Sequence, residues 1–514
     1  MKSKFKLFNF RFFAILLAFC YVGGWIGIEI YDKFDIFYYL LGAGFACALV
    51  LFIVLKRRSV LYLIIIAVFL LTVLSSASVV LDAVTYTPNL SGDLVLTRVE
   101  YVSVDNSVVY VSVIGGLEKP PKGEGKLTLT DGYETDFIKE GGILTLSGVN
   151  ITPHYVLEKD EESGEEIFHY ENLSKRVKFS ISANQVENYS YSPSLAQIMR
   201  NSLSSVVDEN LPDEVKGVTY ALFTGDKYGI EENLYGNYRV SGVAHVLAVS
   251  GLHVTFLVSF LNAILNKIRM KRSKRLIIIL PILLLFNLLC GFTPSVVRAS
   301  VMSAVFTAAP VISRKRYDTL SAMSLSGVIL ILVNPLNVLS YGYILSFVCV
   351  FGVVALTQKF TKLLSFLPKS LSSVCAMSIS ASLAVFPLTV SFFGYFSVLG
   401  LVANVLVVPV LSAFYGILFL VAVVCAILPF LGFLLYAVSV VIYYINGVVS
   451  FIAGLSFASI NIKIPLWFTI SYYTLGLCLT DYIFLGKGVK RAVALLFGAT
   501  CFTCILLSSY GVGI

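Results

Sequence analysis

Histidine is scarce in this chain. Its 514 residues include four, His154, His169, His245 and His253, too few and too scattered for an HxHxDH-type metal cluster. No G-x-x-x-x-G-K-[ST] pattern occurs, which excludes nucleotide hydrolysis on a Walker A loop. Charge is sparse as well, at 13% of residues against about 25% in ordinary soluble domains. No apolar run carries the spaced carboxylates of a proton-coupled pump. Cysteine is missing from the whole polar stretch between Asp82 and Val240, so no disulfide braces it. The nine cysteines all sit in apolar runs and read as small core hydrophobes; Cys501 and Cys504 are spaced CxxC, but on an apolar helix that spacing means one packed face. No metal site and no cofactor is expected.

What remains is apolar. Hydrophobic residues make up 57% of the chain, in many runs of about 20, the length that crosses a bilayer. Three runs come first, Phe12–Ile30, Ile36–Leu55 and Val60–Leu81. The basic start (Lys2, Lys4, Lys6, Arg11) also fits a cleaved signal peptide. A retained span is the better reading, because the run is long and Trp25 and Tyr31 suit the interface. Later runs are Gly242–Leu265, Ile277–Leu289, Ser295–Ile312, Asp318–Val333, Tyr341–Leu356, Leu371–Phe392, Leu401–Leu428, Leu431–Leu455, Leu466–Phe484 and Val493–Leu507. The basic links (Lys56–Arg58, Lys267–Arg275, Arg314–Arg316, Lys359–Lys369, Lys487–Arg491) all fall on one side under an alternating count of about thirteen spans. That places the N-terminus inside and residues 85–191 outside. Lys267–Arg275, KIRMKRSKR, would suggest nucleic acid elsewhere; between two spans it reads as the positive-inside signal.

Residues 85–191 alternate with period two. DLVLTRVEYVSVDNSVVYVSVIG (Asp93–Gly115), KLTLT (Lys126–Thr130), GGILTLSGVNI (Gly141–Ile151) and RVKFSISAN (Arg176–Asn184) predict short strands between turns. The expected fold is a small extracytoplasmic β-barrel, five-stranded and of the oligonucleotide-binding (OB) type. Between Thr85 and Ser190 there are 9 Lys and Arg against 17 Asp and Glu, a net of −8, which leaves +16 on the rest of the chain. An acidic domain is a poor partner for a phosphate backbone. Contact with nucleic acid would need a local patch (Lys119, Lys122, Lys126, or Lys175, Arg176, Lys178) or stacking on Tyr101, Tyr110 or Phe179. The plainer alternative is a folded domain that binds no nucleic acid.

Residues 192–240 turn helical. Ser194–Val207 has apolar residues at helical spacing after Pro193, and Val218–Ile230 ends in a polar turn at Gly225, Asp226 and Lys227. Both are expected as amphipathic helices on the outer membrane surface, or packed on the β-rich domain. Residues 241–514 form the main membrane domain, entered through SGVAHVLAVSGLHV (Ser241–Val254). That stretch carries His245, His253, Ser241 and Ser250 with Gly242 and Gly251 among apolar neighbours. Polar groups in hydrocarbon usually face a bundle interior or a water-filled path; histidines bonded to nearby carbonyls are the structural alternative. Ser250 and His253 lie at i, i+3, the spacing of a nucleophile–base pair, but no orienting third member or oxyanion hole is recognisable. Arg298 stands one turn inside an apolar helix opened by Pro294. Asn404 and Pro409 interrupt Phe392–Val410, a candidate broken helix.

SGVAHVLAVSGLHV resembles the signature of the ComEC-type competence proteins, membrane channels for DNA uptake. ALFTGDK (Ala221–Lys227), PSVVRASVM (Pro294–Met302), NPLNVLSYGYILSF (Asn334–Phe347) and FFGYFSVLGLVANVLVVP (Phe392–Pro409) follow in the same order. The resemblance implies a channel that is not an enzyme and that carries single-stranded DNA through the cytoplasmic membrane during natural transformation. Implied partners are an external DNA receptor, a pilus-like uptake apparatus, a cytosolic helicase-like ATPase and membrane lipid. Longer members add a C-terminal metallo-β-lactamase-like domain. Its ligand histidines are not in this sequence, so nuclease activity is not carried over and is expected from a separate protein. Candidate path residues are His245, Ser250, Gly251, His253, Arg298 and Asn404. Gly242, Pro294 and Pro409 are expected to shape helices, and Asp226 and Lys227 to stand at the outer vestibule. A transporter of a smaller solute, with the external domain as a structural lid, is the competing reading.

Overall fold

The computed structural model describes residues 10–29, 59–85, 91–102, 109–117, 121, 124–129, 138, 141–153, 157–159, 166–168, 177–227, 229–312, 319–462 and 464–479. The expected spans Ile36–Leu55 and Val493–Leu507, their flanking basic links, and Lys119, Lys122, Lys175 and Arg176 lie outside the described residues. In chain order the helices are α1 (Phe10–Glu29), α2 (Ser59–Thr85), α3 (Leu195–Asn210), α4 (Asp213–Thr224), α5 (Glu232–Val240), α6 (Ala244–Leu247), α7 (Gly251–Lys267) and α8 (Arg272–Leu289). They continue as α9 (Pro294–Ile312), α10 (Thr319–Val333), α11 (Tyr341–Leu363), α12 (Lys369–Phe393), α13 (Gly400–Ile427), α14 (Phe433–Val438), α15 (Val440–Ala453) and α16 (Leu466–Leu479). Among the described residues, four stretches are helical, long and apolar enough to cross a membrane: Tyr341–Leu363, Leu371–Phe393, Gly400–Ile427 and Pro429–Ala453. The chain is an integral membrane protein built of such helices, with a β domain. It divides into two compact units, residues 1–230, 247–340 and 415–439 in one, and residues 231–246, 341–414 and 440–514 in the other.

In the first unit the strands are β1 (Ser91–Val102), β2 (Val109–Gly115), β3 (Glu124–Leu129), β4 (Gly142–Pro153), β5 (Leu157–Lys159), β6 (Glu166–Phe168), β7 (Val177–Ala183) and β8 (Gln185–Tyr191). Order β1-β2-β3-β7-β4 with a β1–β4 pairing closes a five-stranded barrel, as the alternating pattern predicts. Val95, Thr97 and Val99 of β1 point inward at every second position. In β4 the buried set changes phase, from Leu144 and Leu146 to Val149 and Ile151. The shift falls at Gly148, whose φ of +61° only glycine adopts easily. There the neighbouring strand breaks as well: β8 pairs with residues 142–147 of β4 and β7 with residues 150–153. The core is filled by Phe179, Ile181, Leu127 and Val111, and Gly125 leaves the space taken by the Phe179 ring. β5 and β6 pair as a separate two-stranded ribbon.

Ser194 caps α3, and Gln197 completes a capping box. Gln197 Nε2 also donates to the Val99 carbonyl at 3.1 Å, and Arg200 Nε to the Leu289 carbonyl at 2.9 Å, so α3 ties the barrel to the C-terminal end of α8. The amphipathic expectation fits α3. It does not fit α4, where residues 217–224 are all buried: α4 is a core helix, not a surface one. α1 packs on α2 through small residues, Gly23 against Thr72 and Gly27 against Ser76, with Phe19 edge-on to Phe69 at 5.9 Å.

In the second unit α11 and α12 pack side by side, Gly352 lying directly against Ala384. After α12 the chain forms a short strand β9 (Tyr395–Ser397) paired with β10 (Ser459–Asn461). α13 follows without interruption through Pro409. The expected break at Asn404–Pro409 is therefore absent, and the irregular backbone sits earlier, at Gly394–Leu399.

Candidate functional site

The signature segment is not one continuous span. α6 ends at Leu247, Ala248–Ser250 is non-helical, and α7 starts at Gly251. The cause is local. Ser250 has extended backbone (φ −128°, ψ 177°) and caps α7, its Oγ accepting from the Leu252 N–H at 3.3 Å. His253, at the third helical position, turns its ring back, and Nδ1 accepts the Ser250 N–H at 3.1 Å. A capping box that usually uses Glu or Gln is closed here by imidazole. With Nδ1 an acceptor, the neutral ring carries its proton on Nε2.

His253 is 1% exposed. Its ring meets Tyr415 edge-on at 4.8 Å, and the Tyr415 hydroxyl donates to the Leu222 carbonyl at 3.1 Å. That carbonyl lies in the last turn of α4, where backbone acceptors have no helical partner. The end of α4, the ALFTGDK motif, is satisfied on all sides: the Gly225 N–H donates to the Ala221 carbonyl, Thr224 Oγ1 to that of Tyr220, and the Cys290 thiol to that of Phe223. Gly225 makes the turn with φ +85°. Asp226 follows, half-buried, its N–H bonded to Thr224 Oγ1 at 3.2 Å, with Lys227 beside it.

Arg298, on α9, is 5% exposed. A Cβ placed on Gly251 would stand 3.1 Å from a terminal nitrogen of its guanidinium and 3.4 Å from Ala299 Cβ. Gly251 therefore gives the guanidinium its room beside the first turn of α7. Two elements meet there with the same polarity, a helix N-terminus and a cation. Pro294 opens α9, as expected. Nearby on the same helix Ser300 accepts from Asn287 Nδ2 of α8 at 2.8 Å, and Asn287 Oδ1 is buried with no partner among the described residues. The first unit thus gathers Ser250, Gly251, His253 and Arg298, and adds Tyr415, Cys290, Asn287 and Ser300. Asn287 breaks an apolar run just as Asn404 does and could have been found that way. Tyr415 bonds a residue 193 positions away, and no local pattern announces it.

The remaining candidates belong to the second unit. Gly242 adopts φ +79°, and a Cβ there would stand 2.7 Å from the Ser397 side chain and 3.0 Å from Gly400 Cα, so both conformation and contact demand glycine. Ser241 is buried, its hydroxyl donating to the Tyr238 carbonyl at 3.3 Å. His245 is exposed on the single turn of α6. Asn404 lies half-buried on α13, its Oδ1 buried and unpartnered among the described residues. Pro409 removes one backbone donor from α13 without ending it. Among the described residues no group of three or more His, Cys, Asp or Glu is placed to hold a metal ion.

Long apolar helices, a closed β-barrel and a buried arginine beside the start of a helix are the features of an integral membrane protein with a β domain. Residues 222–485 match the family model described as Competence protein, and the chain belongs to that family. It is 31% identical over 226 residues to ComE operon protein 3 of Bacillus subtilis (strain 168), covering 44% of this chain and 28% of that protein. The match thus spans little more than a quarter of that relative. No solved structure matches the chain.

Proposed function

We propose that this protein is a conduit for single-stranded DNA across the cytoplasmic membrane in natural transformation. The observation that carries the reading is Arg298, buried among apolar helices with its guanidinium beside the first turn of α7. A DNA strand brings one negative charge per nucleotide, and its passage needs a polar path with fixed positive potential. A buried cation beside a helix N-terminus supplies that potential. In this reading about thirteen spans, with the N-terminus inside and the barrel outside, surround the path. Within the first unit Ser250 lines it, and Asp226 and Lys227 stand at its outer mouth. Gly251 makes room for Arg298, and His253 fixes the start of α7. Such a conduit would receive its strand from an external DNA receptor and pilus-like apparatus, and a cytosolic helicase-like ATPase would draw it in. A separate nuclease would remove the other strand.

The conduit performs no hydrolysis. Ser250 Oγ stands 3.3 Å from His253 Nδ1, but that nitrogen also accepts the Ser250 N–H at 3.1 Å, an arrangement that supports reading the pair as a helix cap. The acidic barrel, at −8, favours the smaller-solute alternative. One experiment separates the two: a transformable host lacking the gene is complemented with wild-type, Arg298→Lys or Arg298→Ala protein, and internal labelled single strand is measured. Arg298→Ala is expected to insert normally and to lose uptake by two orders of magnitude or more, with Arg298→Lys between. Normal uptake by stably inserted Arg298→Ala protein would overturn the assignment.

A further inference from the structure

The second unit carries a feature that the path residues leave unused. α11 begins and α12 ends at the same edge of their antiparallel pair, and aromatic rings line that edge. Tyr341 stacks on Phe392 (centroids 4.3 Å apart, planes at 22°), Phe392 meets Phe393 edge-on at 6.5 Å, and Phe393 meets Tyr395 at 6.4 Å. The Arg239 guanidinium lies 5.3 Å over the Tyr395 ring and ends the row. The pleat of β9 explains the order. Tyr395 and Ser397 share one face, while Phe396 turns to the other and packs edge-on to Phe386 at 4.9 Å. Gly394, at φ +75° with open space around its Cα, lets the chain turn between Phe393 and Tyr395.

The row is open at both ends and in its middle: Tyr341 is 56% exposed, Phe393 47%, and Arg239 is exposed. It also adjoins a polar surface, because α5, which bears Arg239, reads ENLYGNYRV and starts after the exposed Glu231. Four aromatic rings and one guanidinium would hold a phosphate weakly. Ring faces in series with one cation suit flat, neutral, π-bearing groups.

We propose that Tyr341, Phe392, Phe393, Tyr395 and Arg239 form a stacking platform for unpaired nucleobases. The inference rests on the single-strand reading and names a second mode of recognition within it, through bases rather than phosphates. Such a platform accepts every base, because every base has a π face, and it discriminates single strands from duplexes, whose bases are already stacked. The competing use of the same rings is anchoring at the lipid–water interface.

The test uses full-length protein in lipid nanodiscs and fluorescent probes: oligo(dT) and an abasic strand of equal length and charge, and a duplex of the same length. Wild-type protein should bind oligo(dT) more tightly than either of the others. Phe393→Leu and Tyr341→Leu keep apolar bulk and remove the ring; each should weaken oligo(dT) binding by about tenfold and leave abasic binding unchanged. Phe393→Trp should restore it, and Arg239→Gln should weaken it less. Equal binding of oligo(dT) and the abasic strand by wild-type protein overturns the platform. So does an unchanged oligo(dT) affinity in the leucine variants, and a change only in the depth of Tyr341→Trp fluorescence quenching by brominated lipid would then assign the rings to the interface. If wild-type protein binds no single strand at all, the conduit reading itself falls, a result distinct from either.

Discussion

Two replacements at His253 separate a histidine that shapes the helix from one that handles the strand. In His253→Gln the amide oxygen can accept the Ser250 N–H, as in the usual capping box, so α7 keeps its start. What is lost is the edge contact with Tyr415, about 0.5–1.5 kcal/mol. His253→Ala loses that contact, the cap closure at about 1 kcal/mol, and the filling of a buried site, together about 2–4 kcal/mol. The two variants should therefore differ by a factor of about ten or more in the folded-to-unfolded ratio. Denaturation by SDS in mixed micelles measures the stability difference, and accumulation of labelled strand in complemented cells measures function. The Gln protein should unfold slightly early and keep most of its uptake; the Ala protein should be clearly less stable and deficient in uptake. A Gln variant as stable as wild type but as deficient in uptake as the Ala variant would refute the reasoning, because the imidazole would then act on the strand itself.

Gly416→Ala should destabilise the protein by about 1–3 kcal/mol, because its new methyl falls inside contact distance of the Phe260 ring; Gly447→Ala, with nothing within 4 Å, should be neutral or slightly stabilising in the same denaturation. Gly251→Ala should leave stability within about 1 kcal/mol but displace the Arg298 guanidinium by a few tenths of an ångström, so a several-fold loss of uptake at equal expression is expected, and unchanged uptake would show that the arginine does not need its present place.

Much of this architecture is written in local pattern. The apolar runs at Tyr341 and Leu371 name where their helices begin, although the first continues from its expected end at Leu356 to Leu363, and the period-two stretches name the barrel strands. The errors have physical causes. The stretch from Gly242 to Leu265 is apolar throughout and reads as one helix, yet Ser250 and His253 stop and restart it; the i, i+3 spacing that suggests a nucleophile and base is also the spacing of a capping box. Pro409 suggests a break, but a proline removes only one helical hydrogen bond, and packing carries α13 through it. α4 looks amphipathic by its ends, Asp213 and Lys216 at one and Gly225 and Asp226 at the other, while its middle is covered by Tyr415 and Cys290 from distant parts of the chain.

The barrel's closure also sets an order of events during synthesis. β3 pairs in parallel with β7, Leu127 beside Ile181, across more than fifty residues of intervening chain. Until Ala183 has been synthesised, β4, β1, β2 and β3 are an open sheet with free edges at β4 and β3, the state most prone to mispairing. The strands that complete it all precede Tyr191, so the barrel can finish folding before any of the helices from α4 onward exist. A slowly closing domain placed early in the chain gains that head start, whereas the same barrel at the C-terminus would have to close after every span had been inserted.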